Sequence, residues 1–342
     1  MTDRISVRDV AAAAGVAMSS VSRVLNDSGY ASEAVRQRVL KAVAKLGYEP
    51  DFTARHLRTG RSKTIGYLLP TIANPAPAAH LGEVERLLQA AGFSLLVGSS
   101  QRPARDRELV TFFENRRLEG IIASPSFEYP AAADCPFHKT ALPVVVVERD
   151  LGDAFDSVLM NHAGGVRQAM DYLLSLGHRR VALLVSGANL APGREKLRGY
   201  QEALAAAGLP FDPDLVFMPE SWLASSRVFT AGMLQLPAPP TALIALGTQM
   251  LSGALHVIRA TGREVPRDFS MIGIGTTETL ELMYPPMSAL RYDYHRSAEV
   301  AVQLMLDRIE GTAGPQGRRV ILEWDLTVGG TCAPPPRQSK NP

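Results

Sequence analysis

From residue 64 onward the chain repeats one rhythm: a run of four to six apolar residues, then a stretch with apolar residues at helical spacing, then another run. Strands are expected at 64–69, 93–98, 120–123 and 144–147, with helices at 80–91 and 105–116 between them. The rhythm resumes with a helix at 164–176, a strand at 181–185, a helix at 194–207 and a strand at 215–218. Helices at 225–234 and 250–261 then alternate with strands at 242–246 and 271–274. Runs that are apolar at every position belong to strands buried on both faces, and the intervening helices supply the cover. That dictates parallel sheets, and two successive sets predict an α/β core of two Rossmann-like subdomains. Late strands at 289–292 and 319–328 flank a last helix at 296–310. Ligands of such sheets bind beyond the carboxyl ends of the strands, here in a cleft between the halves.

The first 50 residues follow another pattern. Ser6 is a good N-cap with Asp9 three residues on, and Val7, Val10, Ala11 and Ala14 follow at helical spacing. Gly15 can adopt the left-handed conformation that stops a helix. Val21, Val24 and Leu25 then form an apolar stripe, and the opposite face carries Met18, Ser19, Ser22 and Arg23. Helix, glycine turn and a second helix with a short polar face is the helix-turn-helix pattern, whose second helix enters the major groove. A helical hairpin in a bundle shares that outline. A third helix opens at Ser32 and Glu33, carries Val35, Val39, Val43 and Leu46, and stops at Gly47. After Pro50, Asp51 can cap a very short helix bearing Arg55, His56, Leu57 and Arg58. So short a helix is marginal alone. A leucine set among cations suits a wedge between base pairs in the minor groove, or a cap on the core domain.

The charge follows this division. Residues 1–63 hold 11 Lys and Arg against 6 Asp and Glu, a net +5, while the rest of the chain is −3. Cationic charge gathered at one end points to a polyanion there. An apolar fraction of 46% with 20% charged residues over 342 positions fits an ordinary globular protein of two or three folding units. No apolar run reaches the ~18–20 residues that span a bilayer, and the start lacks the pattern of a secretory signal. Cys135 and Cys332 match no metal or redox spacing, so unpaired thiols in a reducing cytoplasm are expected. There is no Gly-x-Ser-x-Gly, no P-loop and no paired set of metal ligands. A DNA-binding regulator without catalysis or cofactor is therefore favoured over a solute-binding protein or a sugar-handling enzyme of similar shape.

Residues 7–11 (Val-Arg-Asp-Val-Ala), Gly15 with Val16, residues 21–26 (Val-Ser-Arg-Val-Leu-Asn), residues 47–50 (Gly-Tyr-Glu-Pro) and residues 54–57 (Ala-Arg-His-Leu) stand in one order and spacing. The chain resembles the lactose/galactose-repressor (LacI/GalR) family of transcription factors. The likeness extends through Gly177-His178, Gly199-Tyr200 and Ala333 to cover nearly the whole chain. It implies a helix-turn-helix headpiece (1–50), a hinge helix and linker (51–63) and a periplasmic-binding-protein-like core (64–333). The core would divide into an N-subdomain, about 64–160 and 293–322, and a C-subdomain, about 161–290 and 323–333. A disordered tail (334–342) would follow.

The resemblance further implies a homodimer that grips a double-stranded, pseudo-palindromic operator and answers to a small-molecule effector, with no membrane partner. Met18, Ser19 and Arg23 match positions facing base edges, with Ser22 on the same face. Ser6, Ser20, Asn26 and Ser32 match phosphate positioners, and Leu57 matches the minor-groove wedge, with Ala54 and Arg55 beside it. Ala17 stands where a Ser or Thr cap is usual.

On the effector side the matching positions are Arg149, His162, Lys196, Trp222, Thr248, Gly275 and Arg291. Several depart from the family's pattern. Lys196 replaces an arginine, Gly247 and Thr248 an Asn-Asp pair, Gly275 an acid, and Asn161 with His162 an Asp-Asn pair. Loss of those hydroxyl acceptors, with cations retained and Tyr292 and Tyr294 near, points to an anionic effector such as a sugar acid, a phosphosugar or a small carboxylate.

Overall fold

Helix α1 (Val7–Ala14) begins where Ser6 gives both its backbone N–H and its hydroxyl to the Asp9 carboxylate, at 2.8 and 2.7 Å. It ends at Gly15, whose φ of +62° turns the chain so that the Val16 N–H returns to the Ala11 carbonyl. Helices α2 (Met18–Asn26) and α3 (Glu33–Leu46) complete the unit around Val10, Val21, Val24, Val39 and Tyr48. The computed structural model describes residues 5–26, 29–48, 61–129, 131–219, 225–275 and 283–336, without the side chains of Asn26 and Thr248. The hinge residues Ala54, Arg55 and Leu57, and also Trp222, lie outside the described residues.

The chain divides into a unit at 1–62 and a unit at 63–342. Lys63, expected in the linker, belongs to the second: its N–H bonds Glu119 Oε1 at 2.6 Å and its ammonium lies over the Phe93 ring. In the second unit, β1 (Thr64–Leu69), β2 (Ser94–Ser99), β3 (Gly120–Ala123), β4 (Val144–Val147), β5 (Asp156–Met160) and β11 (Arg319–Leu322) form one sheet, in the order β11-β5-β4-β3-β1-β2. Every pairing in it is parallel. Helices α4 (Pro75–Ala90), α5 (Pro103–Asn115) and α10 (Tyr294–Glu310) belong to this half, and α4 packs on α10.

The second sheet runs β12-β10-β9-β8-β6-β7, from β6 (Val181–Leu184), β7 (Val216–Phe217), β8 (Ala242–Leu246), β9 (Ser270–Ile274), β10 (Ser288–Arg291) and β12 (Asp325–Thr327). It is parallel except where β12 meets β10. Helices α6 (His162–Ser175), α7 (Ala191–Ala206), α8 (Ser226–Met233) and α9 (Gly247–Ala260) go with it. At the contact of α6 with α7, Gly199 meets the Ala163 backbone so closely that a Cβ would fall 2.2 Å from the carbonyl oxygen.

Three details differ from expectation. The strand β5 has no counterpart in the apolar runs, because it opens with Asp156 and Ser157, both wholly buried. The run at 319–328 is two strands, one in each sheet, broken at Glu323 and Trp324. At the C-terminal end, Ala333 O accepts from both His178 Nε2 and Ser270 Oγ, and Pro335 lies against Gly177, so the chain stays seated on the second unit just past 333. The chain passes between the sheets at residue 161, at 292–293 and at 323–324. Asn161 ties two of those passages together through Glu323, at 2.8 Å.

Candidate functional site

Among the described residues two places can carry chemistry, one in each unit. On α2, Met18, Ser19 and Arg23 are exposed and Ser20 and Ser22 half-buried, while Val21 and Val24 face the core. The polar face expected from the spacing is thus presented outward on one helix. The Ser6 hydroxyl is engaged by Asp9, so a phosphate at this helix start would meet a capped end. Ser32 precedes α3 and is half-buried.

The second place is a cavity of about 190 Å³ between the two sheets. It is built as the strand pattern requires, from the carboxyl ends of strands in both sheets. Pro70 follows β1, Ser124 follows β3, Glu148 and Arg149 follow β4, Ser186 comes after β6, Gly247 follows β8 and Gly275 follows β9. Tyr292 and Trp324 enter from two of the passages between sheets, and Tyr67, Asn74, His80, Tyr294 and Lys196 also line the cavity.

Charge in the cavity is concentrated on three side chains. Lys196 is 3% exposed, and its Nζ donates to the Pro192 carbonyl at 3.3 Å. Burial pushes its pKa down to about 8, against the pull of Glu148. Arg149 is spent on structure: Nε donates to Pro125 O at 2.8 Å and Nη1 to Glu148 O at 2.7 Å. Burial lowers its pKa as well. Glu148 sits at φ +62°, a left-handed conformation uncommon for a side chain other than glycine and often found at functional positions. Its Oε1 is buried with no hydrogen-bond partner among the described residues, as are Ser186 Oγ and His162 Nδ1.

The aromatic rings form the remaining wall. Tyr292 lies between Tyr294 and Trp324, with ring centroids 4.6 and 5.8 Å away and the ring planes tilted by 55° and 56°. Such faces suit the C–H side of a ring ligand.

Of the expected effector residues, Arg149, Lys196 and Gly275 line this cavity. His162 does not: it is buried beneath, with Nε2 3.9 Å from Glu148 Oε2 and its ring 5.7 Å from Trp324. Burial, with Lys196 and Arg149 nearby, drives its pKa far down and keeps it neutral. Arg291 ends β10 and is not part of the lining. Glu148, Tyr67, His80 and Trp324 were not among the expected residues. Glu148 supplies an acid acceptor in the cleft at a position apart from those where the expected acceptors are replaced. Among the described residues no cluster of His, Cys, Asp and Glu is arranged to hold a metal, and no helix is long and apolar enough to cross a membrane.

Comparison with known proteins connects the two places. The profile of the bacterial regulatory proteins of the lacI family matches residues 6–51, and that of the periplasmic binding protein-like domain matches 170–332. The HTH-type transcriptional regulator CelR of Thermobifida fusca is 30% identical over 334 residues, 95% of this chain and 97% of that protein. A structure of the CelR–cellobiose complex aligns with a TM-score of 0.72 at 28% identity, over 96% of this chain and all of the other. The Lac repressor dimer bound to operator and the anti-inducer ONPF aligns with a TM-score of 0.86 at 25% identity, over 97% of this chain and all of the other. A reading helix at one end and an effector-sized cleft between two sheets are the two working parts of a ligand-responsive regulator, and the chain belongs to the lacI family of bacterial transcriptional regulators.

Proposed function

We propose that the chain works as a homodimer whose paired headpieces read a pseudo-palindromic operator, and that its effector is a small hydroxylated molecule carrying one anionic group. The observation that carries the effector reading is Lys196. Its ammonium is almost wholly removed from water and has a single long bond to a carbonyl. A charge so placed is expensive unless an opposite charge meets it. Lys196 and Arg149 together outnumber Glu148 by one positive charge, which a monoanion balances. Glu148 Oε1 then accepts from a ligand hydroxyl, and the Tyr292, Tyr294 and Trp324 rings cover its apolar face. The cavity is smaller than the ~300–1,000 Å³ usual for drug-sized ligands, which suits a compact metabolite.

The dimer and operator reading rests on the exposed face of α2, on the positive charge gathered in residues 1–63 and on the likeness to the operator-bound Lac repressor dimer. A neutral sugar is the second reading, favoured by the aromatic wall and by the cellobiose held by the CelR relative. Calorimetric titration of the full chain with D-gluconate and with cellobiose separates them. Gluconate binding in the micromolar range supports the anionic reading; cellobiose binding without gluconate binding overturns it.

A further inference from the structure

Four side chains run in series along one wall of the cavity. Tyr67 Oη lies 2.7 Å from His80 Nδ1, His80 Nε2 lies 3.1 Å from Ser297 Oγ, and Tyr292 Oη donates to Ser297 Oγ at 2.6 Å. They come from β1, α4, α10 and the passage after β10, so the series runs from one sheet to the strand crossover of the other. Tyr67, His80 and Ser297 are exposed by 1, 4 and 0%. Tyr67, His80 and Tyr292 line the cavity, and Ser297 does not.

Counting protons decides what this wall can offer. Burial keeps His80 neutral, pushing its pKa down to about 4, so the ring carries one N–H on one nitrogen or the other. The series then holds four protons for three hydrogen bonds, and one is left over. Left on Ser297, it would be a buried donor without an acceptor, which is costly. It therefore emerges at an end. With Tyr292 donating to Ser297, Ser297 donates to His80 Nε2, the Nδ1–H donates to Tyr67 Oη, and the Tyr67 proton faces the ligand. Reversing every bond moves the free proton to Tyr292 and leaves Tyr67 with only lone pairs to offer.

We propose that this relay is a specificity-determining element of the cleft: it holds the Tyr67 and Tyr292 hydroxyls in opposite polarity, so the wall takes a ligand that brings one donor and one acceptor to those positions. A ligand bringing two acceptors, or two donors, leaves one buried group mismatched and binds on the order of tenfold to a hundredfold more weakly. A hydroxyl satisfies either end, because it both donates and accepts; a carboxylate satisfies only the donating end. The relay thus reads the hydroxylated part of the ligand and leaves the anionic group to Lys196. The inference rests on the cleft being the effector site, and it adds which part of the effector each wall reads. Tyr67 and Tyr292 are the contact residues, and His80 and Ser297 are positioning residues.

The experiment uses the full chain labelled with ¹⁵N-histidine, in which long-range imidazole spectra show which ring nitrogen carries the proton; a His80→Gln variant assigns the signals. Tyr292→Phe should drive His80 to the Nδ1–H form, since the free proton can then leave only through Tyr67. Tyr67→Phe should drive it to the Nε2–H form. The same tautomer in both variants overturns the relay, and this readout needs no ligand. In the second arm, titration with D-gluconate should move the His80 signals, and each Tyr→Phe variant should bind about tenfold more weakly. Gluconate that binds all three proteins equally, without moving His80, overturns the role in recognition. Cellobiose that moves His80 while gluconate does not bind supports the relay and removes the anionic reading instead.

Discussion

Lys196 is where stability and function oppose each other most directly. Its pKa of about 8 in the fold, against 10.5 for the free side chain, means the folded protein holds that proton less well than the unfolded chain. The penalty is present in full below about pH 8 and is relieved as pH rises from there towards 10.5. Removing the charge should therefore help the free protein. Lys196→Met is expected to raise its unfolding free energy at pH 7 by up to ~3 kcal/mol, read by denaturant titration, and to abolish anion binding in calorimetry. For the wild type, affinity for an anionic effector should fall as pH rises past about 8, because the ligand needs the ammonium. A variant that loses stability, or a pH-independent affinity, would show that the ammonium is an ordinary structural contact. Arg23 poses the corresponding question in the headpiece, where it is exposed beside Met18 and Ser19. Arginine discriminates guanine by about 1–3 kcal/mol when both of its bonds form. Arg23→Ala should relax base preference at one position per half-site in a binding-site selection; a uniform loss over all sequences would mark a phosphate contact.

At the scale of elements, the clearest example is the one strand that breaks the apolar pattern. Asp156 opens β5, and although it is wholly buried it is clasped by Arg308 Nε of α10 at 2.9 Å and by Arg318 Nη2 at 2.8 Å, just before β11. Burial pulls its pKa up, but the two guanidiniums outweigh that and hold it at about 2. The clasp ties β5 to α10 and to the start of β11, 152 and 162 residues further on, and because the folded pKa lies below the unfolded one it contributes in full above about pH 4 and is lost as pH falls towards 2. Asp156→Ala takes away the carboxylate that Arg308 and Arg318 share, Arg318 keeping Asp307 Oδ2 at 2.6 Å, and should cost about 3 kcal/mol at pH 7, with the difference from wild type shrinking in acid. The same residue explains why β5 was illegible in the chain. A strand is recognised by apolar continuity, and here two buried polar residues interrupt it where a distant pair of arginines provides the compensation. The runs at 64–69, 120–123, 144–147 and 242–246 have no such dependence, and they form strands at those bounds. The split of 319–328 was hidden for the opposite reason, since the apolar-polar alternation of Leu322, Glu323, Trp324, Asp325 and Leu326 runs unbroken across the passage between sheets. In the cleft, Lys196, Arg149 and Gly275 were readable from position. Glu148 was not, because its φ of +62° redirects the side chain after an all-valine strand. Tyr67 and His80 were hidden among core positions of β1 and α4, where the hydrogen bonds from Tyr67 through His80 to Ser297 mark them as more than packing.

Across the second unit, the two sheets are joined by backbone at three passages and by side chains beyond them. One side-chain tie stands out: Glu128, on the loop after β3, accepts from the Ala191 N–H at the first turn of α7 and from Arg194 Nη2 at 2.7 Å. A carboxylate on a helix N-terminus and an arginine together contribute on the order of 1–2 kcal/mol when partly exposed. That is small beside the folding free energy, yet it is comparable to what sets an open–closed equilibrium, where 1.4 kcal/mol shifts the population tenfold. Glu128 belongs to the first subdomain and α7 to the second, so the tie exists only when the halves are close. It should therefore govern closure without affecting the fold of either half. Spin labels placed by Thr111→Cys on α5 and Gln201→Cys on α7, both exposed positions, report the separation of the halves once Cys135 and Cys332 are replaced. Glu128→Ala should add a longer-distance population absent from the parent and weaken effector binding by up to about tenfold, with the denaturation midpoint little changed. Coincident distance distributions would mean that the passages alone set the cleft. A broadened distribution with unchanged effector affinity would mean that the ligand does not require the closed form, and regulation by closure would then have no basis in this contact.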